Sequence, residues 1–172
     1  MFEAAELGRH LAKSDYKQAE PELRARLLEV QRRARAAGLP VLLVITGVAG
    51  AGKGELVNRL HEWLDSRNVR THVFWDETDE EKQRPRWWRY WRAMPAAGEI
   101  GILFGGWYAR LIDDARQGRA GDDDIESELD RIREVEHMLI NDGALLVKFW
   151  LHLPESEQAR RVEERRKDPK SH

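Results

Sequence analysis

Short apolar runs alternate with amphipathic ones along this chain. The run Val41-Leu42-Leu43-Val44-Ile45-Thr46 has no polar break before its last residue, which predicts a buried strand. Glu55 to Leu64 follows with Leu56, Leu60, Trp63 and Leu64 at helical spacing, which predicts a helix. Asn68 then turns the chain into a second strand, Val69 to Phe74, of alternating character. Ile100 to Phe104 and Leu145 to Leu153 read as the third and fourth strands. Upstream, Pro21 to Ala37 reads as a leading helix with Leu23, Leu27, Val30 and Ala34 on one face, ended by Gly38 and Pro40. A helix over Asp124 to Asn141 turns Ile125, Leu129, Ile132, Val135 and Leu139 inward and stops at Asn141-Asp142-Gly143. Pro154 leads into a basic helix from Glu155 to Lys167.

Strands alternating with helices at these spacings predict right-handed βαβ units and an α/β fold, a mainly parallel sheet with helices on both faces. Ligands of such sheets bind beyond the carboxyl ends of the strands. That rule gathers Gly47 to Gly54, Asp76 to Glu81, Phe104 to Tyr108 and Pro154 to Arg161 around one crevice. At 172 residues and 41% hydrophobic, the chain has material for one core. The expectation is a single domain over 1–172, with 1–40 as its leading helical segment.

The segment between the first strand and its helix carries chemistry: Gly47-Val48-Ala49-Gly50-Ala51-Gly52-Lys53-Gly54. Gly47, Gly50 and Gly52 permit positive φ, so successive N–H groups can converge on an anion, and Lys53 adds a mobile charge. The helix N-terminus adds its partial positive charge there. This is the pattern of a phosphate-binding loop, with Gly47, Gly50, Gly52, Lys53 and Gly54 as candidate ligand-binding positions. The pattern usually ends in Ser or Thr, whose hydroxyl reaches magnesium, and here Gly54 stands in that place. Glu55 is the adjacent acid, and its position in the first helical turn is also explained by the helix dipole.

Composition narrows the field. With 29 basic and 31 acidic residues the net charge is -2, which gives no general case for nucleic acid or membrane as a partner. Cysteine is absent, so disulfides, thiolate metal sites and cysteine nucleophiles are excluded. Met1 to Glu6 lacks a basic start and a long apolar run, so neither a signal peptide nor a membrane span is expected, and a cytoplasmic location is the default. The six histidines show no metal-ligand spacing.

Two further constellations stand out. Trp87, Trp88 and Trp91 alternate with Arg86, Arg89 and Arg92, and helical spacing puts the three tryptophans on one face. They read either as a lid or acceptor wall, where rings stack on a base and arginines hold phosphates, or as an amphipathic helix packed on the sheet or on a partner. On the basic helix, Arg161 and Arg165 lie four apart, placed either to clamp phosphoryl groups or to pair with Glu157, Glu163 and Glu164 on a solvated face. The third strand runs Ile102-Leu103-Phe104-Gly105-Gly106 without the acid that a nucleotide kinase of this architecture places there for magnesium. Asp113 and Asp114 come later and read as surface residues.

These residues resemble the polyphosphate kinase 2 family, and more closely the N-terminal domain of its tandem-domain members, the polyphosphate:AMP phosphotransferases. The resemblance rests on Gly47 to Glu55, on Arg86-Trp87-Trp88-Arg89-Tyr90-Trp91-Arg92 with Pro95, on Gly98 to Ile102 running into Gly106-Trp107-Tyr108, and on Lys148 to Leu153. It implies a P-loop kinase-like three-layer sandwich that moves a phosphoryl group between polyphosphate and a nucleotide with Mg2+, under an arginine-bearing lid where Arg161 and Arg165 fit. Active members carry an acid where Ala49 stands and an Asp-Arg pair where Phe104 and Gly105 fall, while Lys53 is kept. The chain also stops at Asp168 to His172, near where the family continues into more lid and core helix.

Because phosphoryl transfer depends on metal ions to neutralise charge, the leading reading is a degenerate phosphotransferase domain serving as a structural or regulatory half beside an active copy, whether a second homologous domain or a homo-oligomer partner. One alternative is a catalytically active polyphosphate-dependent AMP or ADP kinase that recruits Glu55 or Asp76 for its metal. The other is an ATP-dependent nucleoside monophosphate kinase.

Overall fold

Each apolar run becomes a strand in the computed structural model, which describes residues 10–167: β1 is Val41–Gly47, β2 Val69–Val73, β3 Ile100–Phe104 and β4 Leu145–Leu151. The helices are α1 (Lys13–Ala36), α2 (Lys53–Trp63), α3 (Asp79–Lys82), α4 (Trp88–Trp91), α5 (Tyr108–Arg116), α6 (Asp122–Asn141) and α7 (Glu155–Lys167). Among the described residues the sheet has the order β2-β3-β1-β4, and every pairing is parallel. Val41 of β1 lies opposite Ile100 on one side and Leu145 on the other.

Alternation along β1 divides its side chains between two cores. Val41, Leu43 and Ile45 join Ile100, Ile102 and Val69, and are covered by Val57 and Leu60 of α2, by Leu64 just beyond it, and by Ala34 of α1. Leu42 and Val44 join Leu103 on the other face, under Tyr90, Trp107, Leu111 of α5, and Ile132 and Leu139 of α6. A strand covered on both faces has no solvent side to keep polar, which is why β1 reads as an unbroken apolar run. Burying each of Leu42, Ile45, Ile102 and Leu103, all essentially inaccessible, stabilises the fold by roughly 1.5–3 kcal/mol relative to exposure. The result is the expected three-layer α/β sandwich with helices on both faces. The expected inward set of α6 also lies in the second core, with Ile125, Leu129 and Val135 packed at its margin.

The leading helix differs from its sequence reading. It starts at Lys13, and Pro21 lies inside it rather than at its first turn. The residues before Pro21 favour helix, and the carbonyl that loses its donor belongs to exposed Lys17, so water can serve it. Its inward face is Leu27, Gln31 and Ala34, whereas Leu23 and Val30 are exposed. Gln31 takes a core position because its side chain closes two bonds with Asp65, donating Nε2–H to the carbonyl and accepting from the amide, each at 2.8 Å.

Smaller differences lie at element ends. Helix α2 begins at Lys53 and α6 at Asp122, each two residues earlier than expected, while β2 ends at Val73 and β4 at Leu151. The acidic connection after β2 contains the single turn α3. Thr78 caps it, its hydroxyl accepting from the Glu81 amide at 3.3 Å while the Glu81 carboxylate accepts from the Thr78 amide at 2.9 Å. Met1 to Glu6 and Asp168 to His172, singled out in the sequence, lie outside the described residues. Among those described, no helix is long and apolar enough to cross a membrane.

Candidate functional site

The glycine-rich segment turns between β1 and α2 as its sequence requires. Gly47, Gly50 and Gly52 have φ of 130°, 79° and 90°, values that side chains other than glycine rarely adopt. Gly47 is also constrained by packing, since a Cβ there would stand 2.0 Å from the carbonyl oxygen of Leu151 on neighbouring β4. Gly52 is the left-handed residue that admits the chain to α2, and Lys53 is the first helical residue. The Lys53 ammonium donates to the carbonyls of Gly47 and Val48, both at 2.8 Å, curling the side chain back over the loop. Gly54 lies within α2 with nothing within 4 Å of where its Cβ would stand, so space does not exclude a hydroxyl-bearing residue.

The four segments assigned to one crevice do line one, with a volume of about 1360 Å³. Gly47, Val48, Ala49 and Lys53 face Asp76 and Glu77 beyond β2, Phe104 to Gly106 beyond β3, and His152, Leu153, Glu155, Gln158 and Ala159 beyond β4. Helix α7 reaches the loop through Arg161, whose Nε donates to Glu157 at 2.8 Å and whose Nη1 donates to the Gly50 carbonyl at 3.4 Å. Hydrogen bonds from Arg160 and then Arg161 hold the Glu157 carboxyl at about 2. Arg161 thus engages both the loop and the pairs of a solvated face. Arg165 lies on α7, but its side chain is outside what the structure describes.

Asp113 and Asp114 lie in α5, the first exposed and the second half-buried, and both also line the crevice. Asp114 pairs with Arg119 at 2.8 Å and with Arg110 at 3.5 Å, and Arg110 pairs with Glu77 at 3.2 Å. Asp76 lines the crevice and is exposed, while Glu55 stands in the first turn of α2 with a carboxylate oxygen 3.5 Å from the point a Gly52 Cβ would occupy. Among the described residues no three of His, Cys, Asp and Glu gather as they would around a cation. A magnesium ion asks for one or two carboxylates besides substrate phosphates, and Ala49, Phe104 and Gly105 offer none. The carboxylates that line the crevice among the described residues are instead those of Asp76, Glu77, Asp113, Asp114 and Glu155.

The three tryptophans of the Arg-Trp segment do not share a face, because only one helical turn, α4, forms there. Trp87 packs on Tyr90 and Trp107, with ring centroids 5.4 and 6.0 Å apart. Trp88 lies under the guanidinium groups of Arg84 and Arg92, at 5.3 and 4.7 Å. Trp91 is exposed, beside His137 and Met138 of α6. Arg86 is bound to buried Glu128. The residues this segment sends to the crevice are Arg89 and Tyr90, joined there by Trp75. Sequence reasoning passed over Trp75, although it stands one residue past the second apolar run, at the carboxyl end of a strand.

A polar network braces the turn beyond β3. Buried Glu136 of α6 accepts from Trp107 Nε1 at 3.1 Å, from the Tyr108 hydroxyl at 2.8 Å and from the Lys148 ammonium of β4 at 2.7 Å. Burial, and then the bond to Glu136, raises the Tyr108 hydroxyl pKa. Burial lowers that of Lys148, but its bonds to Glu136 and Tyr108 outweigh this and raise it. Groups held protonated in this way stabilise the fold fully below their unfolded pKa values of about 10 and lose that contribution as pH rises through the folded ones. Denaturant titrations between pH 8 and 11 are expected to show stability falling less steeply in Tyr108→Phe than in the parent. Equal slopes would contradict the role assigned to this hydroxyl.

The family model described as Polyphosphate kinase 2 matches residues 10–172. A polyphosphate:AMP phosphotransferase of Pseudomonas aeruginosa is 41% identical over 170 residues, 98% of this chain and 34% of that protein. A GDP-polyphosphate phosphotransferase of Mycobacterium tuberculosis is 33% identical over 147 residues, 86% of this chain and 50% of the relative. Among solved structures, a polyphosphate kinase 2 from Pseudomonas aeruginosa superposes with a TM-score of 0.87 at 40% identity, over 94% of this chain and 35% of that one. One from Arthrobacter aurescens superposes at 0.84 and 30% identity, over 96% of this chain and 60% of the other. The chain spans about a third of the length of its Pseudomonas relatives.

Proposed function

The chain belongs to the polyphosphate kinase 2 family, and from that premise we propose that its crevice binds polyphosphate or nucleotide phosphates while its own phosphoryl transfer is degenerate. The observation that carries this reading is the coexistence of a phosphate-shaped loop with a crevice whose metal-bearing positions are Ala49, Phe104 and Gly105. The loop still offers glycines at positive φ, a helix N-terminus and Lys53. Without carboxylates at those positions, the charge on a moving phosphoryl group lacks the support that metal ions give it. The domain then serves as a structural or regulatory half beside an active homologous domain or a second copy. Arg161, which reaches the loop, completes the anion-binding side from α7.

Calorimetry with inorganic polyphosphate tests the reading. Binding is expected with or without magnesium, and Lys53→Ala is expected to weaken it about 10- to 100-fold, the range of a hydrogen bond to a charged group. A change under twofold would remove Lys53 from the site. The contrary reading, an active polyphosphate-dependent AMP or ADP kinase using Glu55 or Asp76 for magnesium, predicts turnover on the order of 1–100 per second. Turnover at that rate, lost in Lys53→Ala, would overturn the degenerate assignment.

A further inference from the structure

We propose that Trp75 is the platform on which a nucleobase stacks in this crevice, so that the ligand class is a nucleoside phosphate rather than phosphate chains alone. This rests on the reading of the crevice as a phosphate site and adds to it a second contact of different chemistry. Trp75 is 74% exposed, the most exposed of the large apolar side chains among the described residues, and it lines the same crevice as Lys53. A solvated indole at the carboxyl end of a strand adds nothing to the core, and its π-face is what purine and pyrimidine rings stack on.

The surroundings hold this ring ready without covering it. The Phe74 amide donates to the Phe104 carbonyl at 3.1 Å, tying the chain beyond β2 to the end of β3. Arg89 Nη2 then donates to the carbonyl of Trp75 itself at 2.9 Å. The Arg89 side chain is only 10% exposed and is fixed by the Glu81 carboxylate at 3.3 Å and by the rings of Phe74 and Tyr90 at 5.3 and 5.9 Å. Its charge is therefore matched within the protein, and it acts as a positioning residue for Trp75. Phe104 supports the indole from one side, with centroids 6.1 Å apart and planes inclined by 52°, a tilted contact that leaves a face free. Phe104 stands where an acid is expected in active relatives, so the substitution that removes a metal ligand also supplies the backing of an aromatic platform.

Binding of AMP, ribose 5-phosphate and inorganic polyphosphate to the intact chain, each measured by calorimetry, tests the assignment. AMP is expected to bind about fivefold or more tightly than ribose 5-phosphate, the increment of one base stacked on an aromatic ring, and GMP is expected to behave similarly. Trp75→Ala is expected to erase that increment and to leave polyphosphate affinity within twofold, whereas Trp75→Phe keeps most of it. Because the side chain is largely solvated, its truncation removes little packing. An increment that survives in Trp75→Ala overturns the proposal. So does a parent protein that binds AMP no better than ribose 5-phosphate, and in that case polyphosphate binding would leave the phosphate reading standing. Absence of binding by all three ligands overturns both. Self-association of the parent that disappears in Trp75→Ala, with nucleotide affinity unchanged, would assign the ring to a protein contact instead and likewise overturns the proposal.

Discussion

Glu136→Ala is expected to lower the unfolding free energy by about 3 kcal/mol. The carboxylate is buried on α6 and takes three donors. Its removal leaves the indole N–H of Trp107, a residue 1% exposed, without an acceptor inside the second core. The Lys148 ammonium is about half exposed, so its share of the loss is screened and the larger part comes from the buried indole and the half-buried Tyr108 hydroxyl. Glu136→Gln keeps an acceptor oxygen and is expected to lose about 1 kcal/mol. Equilibrium urea denaturation distinguishes the two, and a loss below 1 kcal/mol in the alanine variant would show that the network is not the brace assigned to it. Trp107 and Tyr108 follow directly on Gly105 and Gly106, so the alanine variant is also expected to loosen the crevice floor and weaken polyphosphate binding.

Gly47→Ala is expected to be at least as damaging, at about 4 kcal/mol. Two costs add there. A φ of 130° costs an alanine roughly 1–3 kcal/mol, and forcing a methyl group into filled space costs a similar amount. The clash is with backbone, the carbonyl oxygen and amide nitrogen of Leu151 at 2.0 and 2.7 Å, so no rotamer relieves it. The same carbonyl accepts from the Val48 amide at 3.0 Å, a bond that joins the loop to β4. The variant is therefore expected to lose stability and polyphosphate affinity together, read by thermal melts and calorimetry. A variant with parental melting temperature would mean that β1 and β4 separate without cost at this point.

The loop, the strands and the crevice were legible because each is written in local sequence. Apolar runs bounded by turns mark strands, and glycines with a lysine between strand and helix mark an anion site. What stayed hidden depends on residues far apart in the chain. Gln31 reads as polar surface until Asp65 is placed opposite it. Glu136 and Lys148 read as solvated charges, yet α6 and β4 bring them together beneath Tyr108. Leu23 and Val30 fit a helical stripe as well as Gln31 does, and only the position of α2 decides which set turns inward. The three tryptophans of the Arg-Trp segment were assigned one face on the premise of a continuous helix, and the single turn α4 sends them in different directions. Trp75 and Arg89 became visible as a pair only when the crevice closed around both.

The strand order carries a kinetic consequence. Val41 pairs with Ile100 and with Leu145, residues about 60 and about 100 positions later, so the central strand has no partner near it in sequence. Chains dominated by such distant pairings fold slowly, because loop closure must be met before the contacts return anything. Among the described strands, the one that carries Leu151, whose backbone moulds Gly47, leaves the ribosome last. A nascent chain therefore carries its glycine-rich segment as unshaped polymer while the roughly 100 residues up to β4 are made, and the anion site comes into being only when β4 docks.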